Sequence, residues 1–185
     1  RLDNAQHRFA VIEAGMSVPG ELKISAQVIR PHIAIITAVA PVHLQGVGSL
    51  AGVAREKSQL VAALTAGGKA IMPASLLAWA DFNSFASRCV VVKFAGEPDP
   101  VVKPARLISA SLEMKSEQRI LTLDGEVYKL GSVSDGLARN AALAIVAAQE
   151  AGLTADVIRQ ALVGWSPPLG RGSVHQVANQ IYYID

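Results

Sequence analysis

Cysteine, net charge and long apolar runs are all scarce in this chain, and each scarcity removes a class of protein. Cys89 is the single cysteine among 185 residues, so no intrachain disulfide can form. It stands directly before Val90-Val91-Val92, which predicts a buried thiol in a reducing compartment, the cytoplasm. Seventeen Lys and Arg against fifteen Asp and Glu leave a net charge of +2, and no stretch gathers the cations into one face. A nucleic-acid backbone partner is therefore excluded. The longest mostly apolar stretches, 33–40 and 141–148, fall far short of the ~20 residues that a membrane-spanning helix requires. Residues 1–8 contain neither a signal-peptide apolar core nor an initiating Met, so the chain is expected to begin inside a longer protein. Internal repeats and low-complexity tracts are absent too.

What is present is apolar and evenly spread. Hydrophobic residues make up 51% of the chain and the mean hydropathy is +0.33, which rules out disorder. A chain of this length forms one domain with a substantial core. Residues 9–14 and 33–40 are short branched runs ended by Gly15 and Pro41, predicting two buried parallel strands. Between them, Pro19-Gly20 marks a turn, and Leu22, Ala26 and Ile29 recur at helical spacing across 21–29. Together these predict a β-α-β unit.

Ser49 is a cap for a long helix that Gly67-Gly68 stops; 69–73 reads as a third strand, 75–87 as a helix and 89–94 as a fourth strand. Beyond Glu97 the pattern changes. Pro98, Pro100 and Pro104 interrupt the chain, and the alternating segments 105–114, 119–123 and 126–130 follow, with a hairpin turn at Asp124-Gly125. A small antiparallel sheet, at about 100–131, is expected as an insertion. A helical pair over 135–151 and 154–165, the second capped by Thr154, and a last strand over 180–184 complete the chain. The fold class is α/β: three layers, a mostly parallel sheet with helices on both faces and a small antiparallel addition, in one domain spanning 1–185.

Glu13 and His43 fall at or just past the ends of the first two strands, where open parallel sheets place their ligands. Lys57 lies about two turns into the following helix, in reach of the same edge. A carboxylate and an imidazole suit a divalent cation, whereas an ammonium does not unless it is modified. Taken singly, each residue has a plainer role: a loop partner, a hydrogen-bonded histidine, a solvated lysine. Gly46-Val47-Gly48-Ser49-Leu50-Ala51 matches a dinucleotide-binding pattern, but it does not directly follow a strand, and Met72-Pro73-Ala74 stands where the acidic ribose partner belongs. The compact loop at 167–172 is a hinge or a site.

Several spaced strings agree with one family. Val11-Ile12-Glu13-Ala14-Gly15-Met16, Arg30-Pro31, Thr37, His43-Leu44-Gln45-Gly46-Val47-Gly48-Ser49 and Ala54-Arg55-Glu56-Lys57 resemble the central domain of the Mur ligases, in the branch that adds D-alanyl-D-alanine to the UDP-N-acetylmuramoyl tripeptide of peptidoglycan. The likeness is good over about 9–70 and looser to Asp185. It implies a phosphate-loop NTPase-like middle domain, ATP and Mg2+ as cofactors, and an enzyme that forms an amide bond through an acyl phosphate. By the same resemblance Glu13, His43 and a carbamylated Lys57 hold magnesium. Arg171 lies near the transferred phosphate, Asn140 near the adenine, and Asp185 on the ribose. Carbamylation turns the lysine into an oxygen-ligand anion, which answers the objection to an ammonium.

The departures matter as well. No Gly-x-x-x-x-Gly-Lys-Ser/Thr string occurs, and in the family it precedes the position of Arg1 by several tens of residues, so the isolated chain is expected to be inactive. Met72-Pro73-Ala74-Ser75 replaces an expected asparagine, and Ser134-Asp135-Gly136-Leu137-Ala138 replaces a Gly-His motif before Asn140. Two other readings remain: a Mur-like binding module without catalysis, and a dinucleotide-binding domain.

Overall fold

A computed structural model describes residues 7–41, 46, 48–116, 118–167, 173–177 and 180–184, the last two segments as backbone. The order is α1 (Glu21–Ile29), β1 (Ile33–Ile35), α2 (Leu50–Ala62), β2 (Lys69–Pro73), β3 (Cys89–Phe94), β4 (Arg106–Lys115), β5 (Gln118–Leu123) and β6 (Glu126–Lys129). The helices α4 (Asp135–Glu150) and α5 (Ala155–Leu162) and the hairpin β7 (Ser173–Val177) and β8 (Gln180–Ile184) follow. A short helix α3 (Ala80–Asn83) lies between β2 and β3.

Strands β1 to β6 form one sheet in chain order. β1 through β4 pair parallel, and β4, β5 and β6 pair antiparallel. Side-chain alternation along β2 and β3 divides the core into two faces. Ala70, Met72, Cys89 and Val91 pack with Ala54 and Val61 of α2 on one side. Ile71, Val90, Val92 and Phe94 pack with Ala142, Leu143 and Val146 of α4 on the other. Strands buried on both faces read as unbroken apolar runs, as 89–92 does. The third and fourth strands fall at the predicted bounds, and the class is α/β as expected.

Four expectations are corrected. Residues 9–14 form no strand, and Val11 is fully exposed while Ile12 is 53% exposed. Apolar branched residues become a strand only against a ladder partner, and among the described residues none pairs with this run. For the same reason the second strand shortens to Ile33–Ile35, which is the length that faces Lys69–Ile71 on β2. The helix expected over 75–87 is broken into a 3-10 turn at Ala74–Ala78, α3, and a second turn at Ala86–Arg88, because Trp79 is extended at ψ 128°. The antiparallel strands are no separate insertion, since β4 pairs with β3 and carries the main sheet onward. β7, over residues to which no element was assigned, pairs with the expected last strand as a hairpin. The hairpin between β5 and β6 does turn at Asp124-Gly125, both with positive φ.

Candidate functional site

Both main helices run antiparallel to the strands they cover. Thr65, just past α2, donates its N–H to Pro31 O near the start of β1, and Arg88 donates to the carbonyls of Leu64 and Thr65. These bonds hold the carboxyl end of α2 at the amino edge of the sheet, so its Ser49-capped start lies toward the carboxyl edge. Lys57 sits midway along α2, and its long side chain sweeps back toward the helix start. Its Nζ donates to Ala38 O at 2.6 Å, three residues past the end of β1. Burial holds the Lys57 ammonium below its ordinary range.

Glu13 lies in the coil before α1 and is exposed. It borders a cleft of about 650 Å³ with Met16, Ser17, Glu21 and Ile24. Three contacts join its segment to α2. Met16 and Leu22 pack on Val53. The Gly20 N–H donates to Glu56 Oε1 at 2.9 Å. Gly46, just ahead of α2, sits so near Ser17 that an added Cβ would run into the Ser17 carbonyl oxygen. The close approach that this glycine permits is therefore one between two backbones of the protein.

Asn140 is exposed on α4, on the opposite face of the sheet from α2. Lys69 at the start of β2 pairs with Glu150 at the end of α4, which sets the start of α4 at the carboxyl edge. Beside Asn140, Arg139 pairs with Glu97 at 2.6 Å and lies 4.2 Å from the centre of the Phe94 ring. Lys57 and Asn140 thus stand toward one edge of the sheet from its two faces, the edge where α/β sheets take ligands. His43, Arg171 and Asp185 lie outside the described residues.

Among the described residues no three His, Cys, Asp or Glu side chains converge as a metal-binding group. The donor chemistry nonetheless suits a hard cation once Lys57 carries a carbamate, and a lysine held below its ordinary range supplies the neutral amine that CO2 addition requires. Sequence reasoning did not single out Glu56, Arg139 or the Ala38 carbonyl. The bare glycine at the start of α1 was the one available signal for Glu56, and its partner lies 36 residues away.

Residues 1–148 match the model of the Mur ligase middle domain. The UDP-N-acetylmuramoyl-tripeptide--D-alanyl-D-alanine ligase of Escherichia coli is 28% identical over 184 residues, covering 97% of this chain and 40% of that protein. The enzyme of the same description from Haemophilus influenzae is 44% identical over 69 residues, covering 37% of this chain and 15% of that protein. A crystal structure of MurF from Acinetobacter baumannii superposes with a TM-score of 0.73 at 22% identity, covering 97% of this chain and 39% of that one. MurF from Thermotoga maritima in complex with ADP gives 0.66 at 16% identity, covering 91% and 38%. The chain spans at most about two fifths of these relatives' length. With a family match over four fifths of its residues and the same fold, this chain belongs to the Mur ligase middle-domain family.

Proposed function

We propose that residues 1–185 are one piece of the middle domain of a cytoplasmic, ATP-dependent ligase that joins D-alanyl-D-alanine to a UDP-N-acetylmuramoyl tripeptide. The observation that carries the reading is Lys57, a half-buried amine held at the carboxyl edge of the sheet by Ala38 O and shifted toward its neutral form. In the reaction, the γ-phosphoryl group of ATP passes to the terminal carboxylate of the tripeptide, giving an acyl phosphate and ADP. The amine of D-alanyl-D-alanine then attacks the acyl carbon, and phosphate leaves as the amide forms. A free carboxylate is a poor electrophile, so the phosphoryl group supplies the leaving group.

Glu13, His43 and carbamylated Lys57 would hold magnesium, which when bound supplies positive charge beside the phosphate oxygens. Arg171 would screen charge on the transferred group, and Asn140 and Asp185 would meet the adenine and the ribose. Positioning of the reactants is the rest of what the site contributes. The phosphate loop and the parts that bind the nucleotide sugar and the dipeptide belong to the rest of the protein, and residues 1–185 alone turn over no substrate. The test is phosphate release by the longer protein with ATP, tripeptide and dipeptide. Lys57→Ala is expected to abolish it, and unchanged turnover would overturn the reading.

A second reading, a binding module without catalysis, is favoured by Gly136 and Leu137 in the first turn of α4, where the family carries a His-containing motif. It predicts nucleotide binding without turnover in the longer protein.

A further inference from the structure

We propose that Glu56 is a positioning residue: carried on α2 beside Lys57, its carboxylate fixes the turn that follows Glu13 and so sets where Glu13 stands relative to Lys57. This rests on the reading of Glu13 and Lys57 as parts of one site. Gly20 begins α1 with φ 86° and no side-chain cap. The three N–H groups of Ser17, Val18 and Gly20 all end on carboxylates, but not on the same one. Glu21 Oε2 takes those of Ser17 at 2.6 Å and Val18 at 3.4 Å. Those bonds span three and four residues, so they shape the turn wherever it sits. The Gly20 bond to Glu56 Oε1 spans 36 residues and anchors the turn to α2.

Of the other two long-range ties, the packing of Met16 and Leu22 on Val53 is apolar and tolerates sliding, and the close approach of Ser17 to Gly46 meets the chain ahead of α2 rather than the helix itself. A charge-assisted bond from a backbone N–H is directional and stronger than a neutral one, and a carboxylate at the start of α1 meets the positive end of its dipole. Glu56 therefore supplies the direction that the apolar contact lacks. Its second oxygen, Oε2, is buried and has no hydrogen-bond partner among the described residues. An idle buried acceptor costs free energy, so general stability is a weak reason for a carboxylate here.

In the longer protein, Glu56→Ala is expected to raise the magnesium concentration giving half-maximal rate by about tenfold, as loss of an outer-shell partner does, with kcat at saturating magnesium changed far less. Glu56→Gln keeps an oxygen for Gly20 and loses only the charge assistance, so it is expected to stay close to wild type, whereas the shorter Glu56→Asp is expected to follow Glu56→Ala. Hydrogen exchange read on a peptide covering 16–22 provides a test without turnover. The Gly20 amide should be protected in wild type and Glu56→Gln and exposed in Glu56→Asp. If Glu56→Ala fails to fold, the Gln and Asp pair decides alone. Wild-type magnesium dependence in Glu56→Asp, or free Gly20 exchange in wild type, overturns the proposal. Glu13→Gln is the control: a shift there with none in Glu56→Asp defeats the positioning role only, and no shift there defeats the two-residue site together with it.

Discussion

Lys57 Nζ and Ala38 O lie 2.6 Å apart, which places an amine from the middle of a helix at the carboxyl end of an edge strand. Burial lowers the folded-state pKa below the unfolded one. In the window between the folded value and 10.5, the unfolded chain binds a proton that the folded chain does not, so stability rises with pH there and falls as pH drops through the folded value. Lys57→Met is expected to flatten that slope in denaturant titrations at several pH values. A slope equal to wild type would count against the burial argument.

The same neutral amine is the species that adds CO2. Protein held in 13C-bicarbonate is expected to show a carbamate carbon resonance that strengthens as pH rises and is missing in Lys57→Met. A spectrum identical in the two proteins would remove Lys57 as the modified residue.

Gly46→Ala places a methyl group against the Ser17 carbonyl oxygen, and one of two backbones must move. The cost is expected at about 1–3 kcal/mol, as for overpacking elsewhere. Denaturant midpoints measure it, and a neutral result would show that 46 and 17 are free to separate.

Cys89 is buried, its Sγ donates to Phe85 O, and burial pushes the thiol up to about 11. At pH 8 only about a thousandth is thiolate, so alkylation of the native protein is expected to be slow and to become fast on unfolding. Rapid modification of native protein would contradict this.

Ser49 Oγ accepts the Gly52 N–H at the start of α2. Ser49→Ala is expected to cost about 1 kcal/mol, measured by denaturation, because one helix-end donor then loses its partner. No loss would mean that water replaces the cap fully.

Where the chain carries its own structural reasons, the sequence was enough. Val90, Val91 and Val92 are apolar toward both faces and form a central strand. Ser49 and Thr154 each cap the helix they precede. Asp124-Gly125 turns the hairpin because both residues take positive φ. Glu13 and Lys57 were singled out by residue type and place along the chain, although the strand expected to end at Glu13 does not form.

Tertiary structure decided the rest, because the deciding contacts join distant residues. Phe9, Val11 and Ile12 have strand-like side chains, yet a strand exists by its ladder, and the pairing partner is not written in the strand. Nothing local says that β4 extends the main sheet, since the choice depends on the open edge of β3. Nor does the sequence connect Glu56 to Gly20 or Lys57 to Ala38. A hydrogen bond across 36 or 19 residues is fixed only when α1, α2 and β1 have packed. Local propensity thus determined the helix caps, the hairpin turn and the central strand, and long-range packing decided which other apolar runs become strands and which side chains meet.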